Sequence, residues 1–493
     1  MGLLSDEDRA RLAGAETLPR TPLPTQIVSS DEYAPSPQTA QQREAEARLY
    51  ALADDIAPRQ GLSRRRFFAS SAGMAAAFVA LNETYGGLFS ASQAEARTPE
   101  MANERAAALA DQFIMDMHTH FLRDDTRLLG FVRMREAVGR EGWNPDLGGE
   151  QTIEHLKFDN YRREIFLDSD TKIALISSAP SDIPEDWFLT NEQMAQARTR
   201  VNDAAGSRRL MTHAIFTPGA PGWLDHLQAS LELRPDSVKG YTVGDNTHKE
   251  TARYPWRMDD EATTYRGYEL MVAAGVKNVC VHKGLWSSAL DERFPQLAPY
   301  ADVRDVAKAA RDWPQLNFII YHSAYRLADP AAALAEFERG GRLEWVSDLA
   351  DIPAQHGVSN VYGDLGQIFA QTLISQPRVC AAIMGILVKG LGADHVCWGT
   401  DAVWTGAPQW QIEGLRRLEI PEDMRAAHGF APLGEADGPV KRAIFGDNNA
   451  RLYAITDAER EAWRGDRLSQ EKAAHRQSGA LPSNLRYGYV ARG

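Results

Sequence analysis

The chain has 493 residues, 44% hydrophobic and 25% charged, enough for one large globular domain with appendages or two to three smaller ones. A net charge of −13 argues against nucleic acid or an anionic membrane as the main partner, because both reward clusters of Lys and Arg. Three cysteines, Cys280, Cys380 and Cys397, give no disulfide framework; Cys280 and Cys397 sit inside apolar runs and read as small buried hydrophobes, and the spacing demands no disulfide.

Residues 1–62 are rich in Pro, Gln, Ala and charge and read as a disordered leader, with a short helix over Gln41–Ile56. Residues 63–96 follow a different pattern. Ser63-Arg64-Arg65-Arg66-Phe67-Phe68 precedes a weakly apolar run from Ala69 to Leu81, then the small-x-small pattern around Ala94-Glu95-Ala96. This arrangement is that of a twin-arginine export signal with cleavage after Ala96. It implies the twin-arginine export machinery as a partner and a periplasmic or extracytoplasmic location. That route carries folded proteins. The plainer reading is a basic stretch before an Ala-rich helix, and a leader of this length is long for such a signal. The apolar run is too short and too rich in small residues for a stable membrane span.

From residue 97 the pattern is α/β. Candidate strands are 113–118, 172–178, 211–216, 237–243, 277–282, 316–321, 359–364 and 394–399. Helical periodicity lies between many of them, as in Glu154–Leu167, Asp259–Ala274 and Asp302–Asp312. Alternating strands and helices with polar residues at strand ends predict a (β/α)8 TIM-type barrel with loop insertions, spanning 97–455. An open doubly wound sheet would not bring the first and last strands together. The insertions fall at 124–153 and 244–262, long enough to form lids or substrate walls. The tail, 456–493, reads as a helix over 457–474 and an extended end.

Candidate chemistry starts at Met115-Asp116-Met117-His118-Thr119-His120. The two-residue period of a strand places His118 and His120 on one face, and two imidazoles aimed into one space form half of a metal site. Three more strand-like runs stop at a ligand-type residue: His282, His322 and Asp401. One such run is unremarkable, since strands often end in polar residues. Four in one chain favour a shared site. Among the neighbours, Asp116 reads as a support below the site, and Trp286 and Trp404 as candidate pocket walls. Lys283 points away by strand alternation, and Arg326 reads as a surface helix residue. His213 reads as structural, and His248 and Arg253 stay unassigned in a loop.

These motifs resemble the amidohydrolase superfamily, in its amidohydrolase-related branch that includes decarboxylases. Met115–His120 is similar to that branch's first strand, 167–176 to its second, and Val281-His282 and Tyr321-His322 to its fifth and sixth. Trp398-Gly399-Thr400-Asp401 is similar to the eighth-strand motif, and 444–452 to the closing segment. The resemblance covers about 113–453 and implies that His118, His120, His282 and Asp401 hold one divalent metal, zinc first. His322 would lie close, as a further ligand or an acid/base group, with Asp401 as the second catalytic residue. The fourth strand carries Lys239 early and ends in no acidic residue, so a single ion is expected rather than a bridged pair. Barrels of this branch commonly pair, which implies a homodimer.

The expected reaction is hydrolysis of an amide, ester or lactone of a small molecule by water that the metal activates. Non-oxidative decarboxylation of an aromatic or unsaturated acid is the alternative. A third reading is a non-catalytic binding barrel, which predicts loss of some of the five ligand-type residues, and all five are present.

Overall fold

The computed structural model describes residues 21–25, 38–128, 130–141 and 152–478. Most of the leader, residues 142–151 of the first insertion and the end of the tail lie outside the described residues. All eight expected barrel strands are present: β1 (Met115–Thr119), β2 (Ile173–Ile176), β3 (Leu210–Ile215), β4 (Ser237–Tyr241), β5 (Asn278–His282), β7 (Asn317–Tyr321), β9 (Val361–Asp364) and β10 (Val396–Cys397). Two further short strands, β6 (Trp286–Ser287) and β8 (Arg326–Leu327), pair beside the barrel.

The barrel strands form one parallel sheet in the order β1-β2-β3-β4-β5-β7-β9-β10. The first and last strands meet near the mouth. Met117 N–H donates to Trp398 O at 3.1 Å, Asp401 N–H donates to His118 O at 2.8 Å, and Thr119 bridges Ala402. This is the nearly closed (β/α)8 barrel that the alternating pattern predicts. Parallel strands are covered on both faces, which explains their near-continuous apolar character. On β5 and β7 the two-residue period divides the faces. Cys280, Ile319 and Tyr321 join the interior cluster with Leu175 and Met211, while Val279, Val281, Phe318 and Ile320 pack against the surrounding helices.

Register fixes the level of the strand ends: Tyr241 pairs with His282, and His282 with Tyr321. His118, His282 and His322 therefore emerge at the same end of the barrel. The three cysteines are buried and free.

Several helices start later or break where the sequence suggests continuity. The 259–274 helix begins at Thr264, because the Asp260 carboxylate accepts from the N–H groups of Ala262 and Thr263 and holds a turn there. The 302–312 helix is reduced to Val306–Asp312, and 154–167 is a chain of short helical turns. In the tail, Asp457–Ala462 and Arg467–Gln477 are separate helices, since Asp466 caps the second by accepting from Ser469 N–H at 2.8 Å. Arg326 lies on β8 rather than on a helix. Among the described residues no helix is long and apolar enough to cross a membrane.

Candidate metal centre

The centre is built at the C-terminal mouth of the barrel from groups that are almost completely buried. His118 and His120 are each 1% exposed and Asp401 is 3% exposed. His120 Nδ1 lies 2.9 Å from Ser177 O. A carbonyl can only accept, so Nδ1 carries the proton and Nε2 of the neutral ring offers a lone pair. His118 Nδ1 lies 2.9 Å from Asp364 Oδ2, and an accepting carboxylate there leaves the lone pair on Nε2 in the same way. Burial comes first among the causes that hold both imidazoles below their ordinary pKa, so both are neutral at working pH.

The two Nε2 atoms face each other at 3.1 Å, and each lies 3.2 Å from Asp401 Oδ1. Two lone pairs and a carboxylate oxygen thus converge without a proton between them, which calls for a cation. The spacing agrees with that reading, because tetrahedral ligands about 2.0 Å from an ion stand about 3.3 Å apart. Burial works to raise the Asp401 carboxyl. The contact with His120 and the charge of Lys239 outweigh it and hold Asp401 below its usual range.

A second group, His118, His322 and Asp364, also lies close together. Asp364 Oδ2 and His322 Nδ1 in this group are already engaged, while Asp364 Oδ1 is buried without a hydrogen bond. Asp364 Oδ2 accepts from His118 and, at 3.4 Å, from His322 N–H, while His322 Nδ1 accepts from Gln367 N–H at 3.2 Å. The last bond sets the tautomer of His322: the neutral ring carries its proton on Nε2. Burial, followed by the charge of Lys239, brings its pKa down to about 3. His322 is therefore a neutral hydrogen-bond donor rather than a ligand through Nδ1.

His282 stacks on Tyr241 with ring centroids 4.7 Å apart and stands 4.7 Å from the His322 ring. It walls the same pocket but stands outside the convergent trio, so three of the four expected ligands meet at one point. A divalent ion held by His118, His120 and Asp401 would have the three protein ligands typical of catalytic rather than structural sites.

Backbone strain concentrates here. His322, Ser323 and Ala324 have φ of 60°, 44° and 56°, and Asp401 has φ of 60°. Non-glycine residues in this region are unusual and gather at functional sites. Gly399 is required by packing: a Cβ there would lie 2.1 Å from Asp364 Oδ1 and 2.6 Å from His118 Cβ.

The neighbours divide clearly. Asp116 supports the site from below, accepting from His118 N–H and Thr400 N–H, both at 3.1 Å. Trp404 stacks on His120 at 5.4 Å and packs against Phe188, so it lines the site. Trp286 does not stack there; its indole N–H donates to Asp291, and its ring packs in the outer cluster. Lys283 turns away to pair with Asp305 at 2.9 Å. Arg326 pairs with Asp291 and Glu344. His213 is structural, bonded to Ser237 and Tyr321. His248 and Arg253 lie in a loop where Asp245 and Asp182 organise the backbone. Lys239 reaches under the site, its Nζ 3.6 Å from the Tyr321 ring centroid.

Sequence reasoning missed Asp364 and Gln367. Asp364 ends the run Val361-Tyr362-Gly363-Asp364, so the strand-end criterion that selected His282, His322 and Asp401 selects it as well. Gln367 acts through its backbone and left no signal in residue type.

No curated relative matches the chain. Among solved structures, 5-carboxyvanillate decarboxylase from Sphingomonas paucimobilis is 15% identical, with 70% of this chain and 100% of that chain covered and a TM-score of 0.40. 2,6-Dihydroxybenzoate decarboxylase from Rhizobium is 14% identical, with coverages of 70% and 99% and a TM-score of 0.38. A protein assigned as a 2-pyrone-4,6-dicarboxylic acid hydrolase from Pseudomonas putida is 14% identical, with coverages of 70% and 98% and a TM-score of 0.39. The amidohydrolase family model matches residues 115–455, from the first residue of β1 to just beyond the segment that closes the barrel floor. Over that span, which holds every residue of the convergent trio, the chain belongs to the amidohydrolase family.

Proposed function

We propose that this protein is a hydrolase of a small-molecule amide, ester or lactone that works with one divalent ion, zinc first. The observation that carries the reading is the convergence of His118 Nε2, His120 Nε2 and Asp401 Oδ1 on one point. Such an ion, when bound, supplies Lewis acidity and makes water a nucleophile near neutral pH.

The chain's own residues supply the rest. Asp364 and Ser177 O hold the two imidazoles in the tautomer that presents Nε2. Asp401 has a second carboxylate oxygen to take a proton from water and return it to the leaving group. His322 offers its Nε2–H to negative charge developing on the substrate oxygen. Asp401 held below its usual range begins as a proton acceptor, which hydrolysis uses first. Decarboxylation needs a donor to carbon instead. The aromatic wall of Trp404 and Phe188 favours a planar substrate, and this observation keeps decarboxylation of an aromatic acid as the second reading.

The test is metal content by plasma mass spectrometry on the purified protein and on His118→Ala and Asp401→Ala, followed by turnover in 18O-labelled water. About one ion per chain, lost in both variants, with label entering the product, supports hydrolysis. Release of carbon dioxide without label selects the second reading. Protein that takes up no metal under saturation overturns both.

A further inference from the structure

Residues 63–97 carry the twin-arginine pattern, yet they are packed as an integral layer on the outside of the barrel. Ser63 caps the helix Arg64–Phe68, and Ser70 caps the helix Ser71–Tyr85. Phe67 and Phe68 have no exposed surface, and every residue from Ala72 to Leu81 is buried. The apolar run that reads as a translocation segment packs between two partners. Leu49, Ala53 and Ile56 of the helix Ala40–Ile56 cover one side, and Phe369, Leu373, Leu415 and Leu418 of the barrel's own layer join the same cluster. The elbow between the two short helices is tight: a Cβ on Gly73 would lie 2.0 Å from Phe67 O.

The strap that follows is tied to the barrel by backbone and charge. Phe89 bridges Leu418, Ser90 N–H donates to Arg417 O at 2.7 Å, and Glu419 N–H donates to Leu88 O at 2.8 Å. Both oxygens of Glu95 accept from the Arg417 guanidinium, at 2.6 and 3.0 Å, and Arg417 also donates to Ser90 O at 2.9 Å. Such bidentate pairs impose a fixed geometry. Ala96, the residue before the expected cleavage point, has no exposed surface, sits in the helix Gln93–Arg97, and accepts at its carbonyl from Gln60. A protease would have to unfold this segment to reach the bond.

The layer also touches the site indirectly. Arg417 ends the helix Gln409–Arg417. From the same helix Gln411 donates to Thr400 O at 3.2 Å and to Thr405 Oγ1 at 2.9 Å, and Thr400 directly precedes Asp401.

We propose that residues 64–97 stay in the working protein as a layer bracing the helix Gln409–Arg417 behind Asp401, with no cleavage after Ala96 in the folded chain. The bracing of Asp401 rests on the metal-site reading above; retention of the segment does not.

The experiment is to produce the full chain in a bacterium with an active twin-arginine pathway. Folded protein is then recovered from each compartment, and its intact mass and N-terminal sequence are read. Residues 64–97 present in the folded protein is the expected result. Stable folded protein beginning at Arg97, with an unchanged thermal midpoint and metal content, overturns the proposal. Glu95→Ala in the full chain provides the second arm. We expect a lower thermal midpoint, new proteolysis between 88 and 98, and several-fold weaker metal binding. An unchanged midpoint and protease resistance overturn the layer's bracing role. Wild-type protein that retains 64–97 but binds no metal would sink the hydrolase reading and leave retention standing.

Discussion

The barrel contains two buried polar tiers, and their contrast shows what makes a site. In the lower tier, His213 places Nδ1 2.8 Å from Ser237 Oγ and Nε2 2.9 Å from the Tyr321 hydroxyl, whose proton goes to Met117 O. The Tyr321 oxygen is left to accept from Nε2–H and the Ser237 hydroxyl to donate to Nδ1, so both ring nitrogens are satisfied and the tier is complete as it stands. In the upper tier, His118 and His120 are satisfied on one nitrogen each, and the two remaining lone pairs point at each other and at a carboxylate. Both tiers hold buried, neutral imidazoles. Only the upper one is left with convergent acceptors and no proton to share, so only the upper one calls for an ion.

The contrast is broken most severely by Asp401→Asn, which removes the carboxylate charge while keeping the shape. We expect metal to be lost and turnover to fall by about 10²–10⁴-fold, the range for removing a general base, checked by metal analysis and kinetics on the same preparation. Asp364→Ala sharpens it, because it spares the trio but frees the His118 ring. Metal affinity should drop roughly 10–100-fold, as for other residues that orient a ligand from behind, measured by competition with a chelator. In the lower tier, His213→Phe should leave metal affinity unchanged. It should cost about 1–3 kcal/mol of stability by removing one hydrogen-bond partner from each of the Ser237 and Tyr321 hydroxyls, read from denaturant unfolding. Metal loss in that variant would erase the distinction between the tiers.

The smallest effect lies outside both tiers. Glu164 is buried and its pKa is pushed up to about 8 by desolvation. A raised folded pKa means that the unfolded chain ionises first, so this group's contribution to stability declines as pH rises from about 4.5 toward 8. Glu164→Gln removes that dependence. Its stability relative to the parent should rise by roughly 2 kcal/mol between pH 5 and 7, followed by chemical denaturation across that window.

Much of this was readable in residue order. Eight apolar runs, five of them closing on His or Asp, point to a barrel and to its reactive end, because strand period and strand length are local properties. The pairing of His118 with His120 is readable for the same reason. His282 shows the limit. It sits at a proper strand end, and its ring stacks on Tyr241 beside the convergent trio, a packing that no local pattern encodes. Asp364 had the right strand-end signal but needed a partner 246 residues away to acquire a role. Strand alternation turns Lys283 away from the site, but its partner Asp305 and the partners of Arg326, Asp291 and Glu344, were set by tertiary structure.

Residue order by itself thus determined the strand count, the end of the barrel that carries the chemistry, and the types of group available there. Those follow from side-chain period and from which residues can hold a metal. Tertiary structure alone decided which lone pairs converge, which tautomer each imidazole adopts, and which buried histidine is merely structural. It also decided that residues 63–97, apolar enough to read as an export segment, lie in the packed layer behind Asp401. An apolar run records only that it avoids water, and the surface that covers it is chosen when the rest of the chain folds.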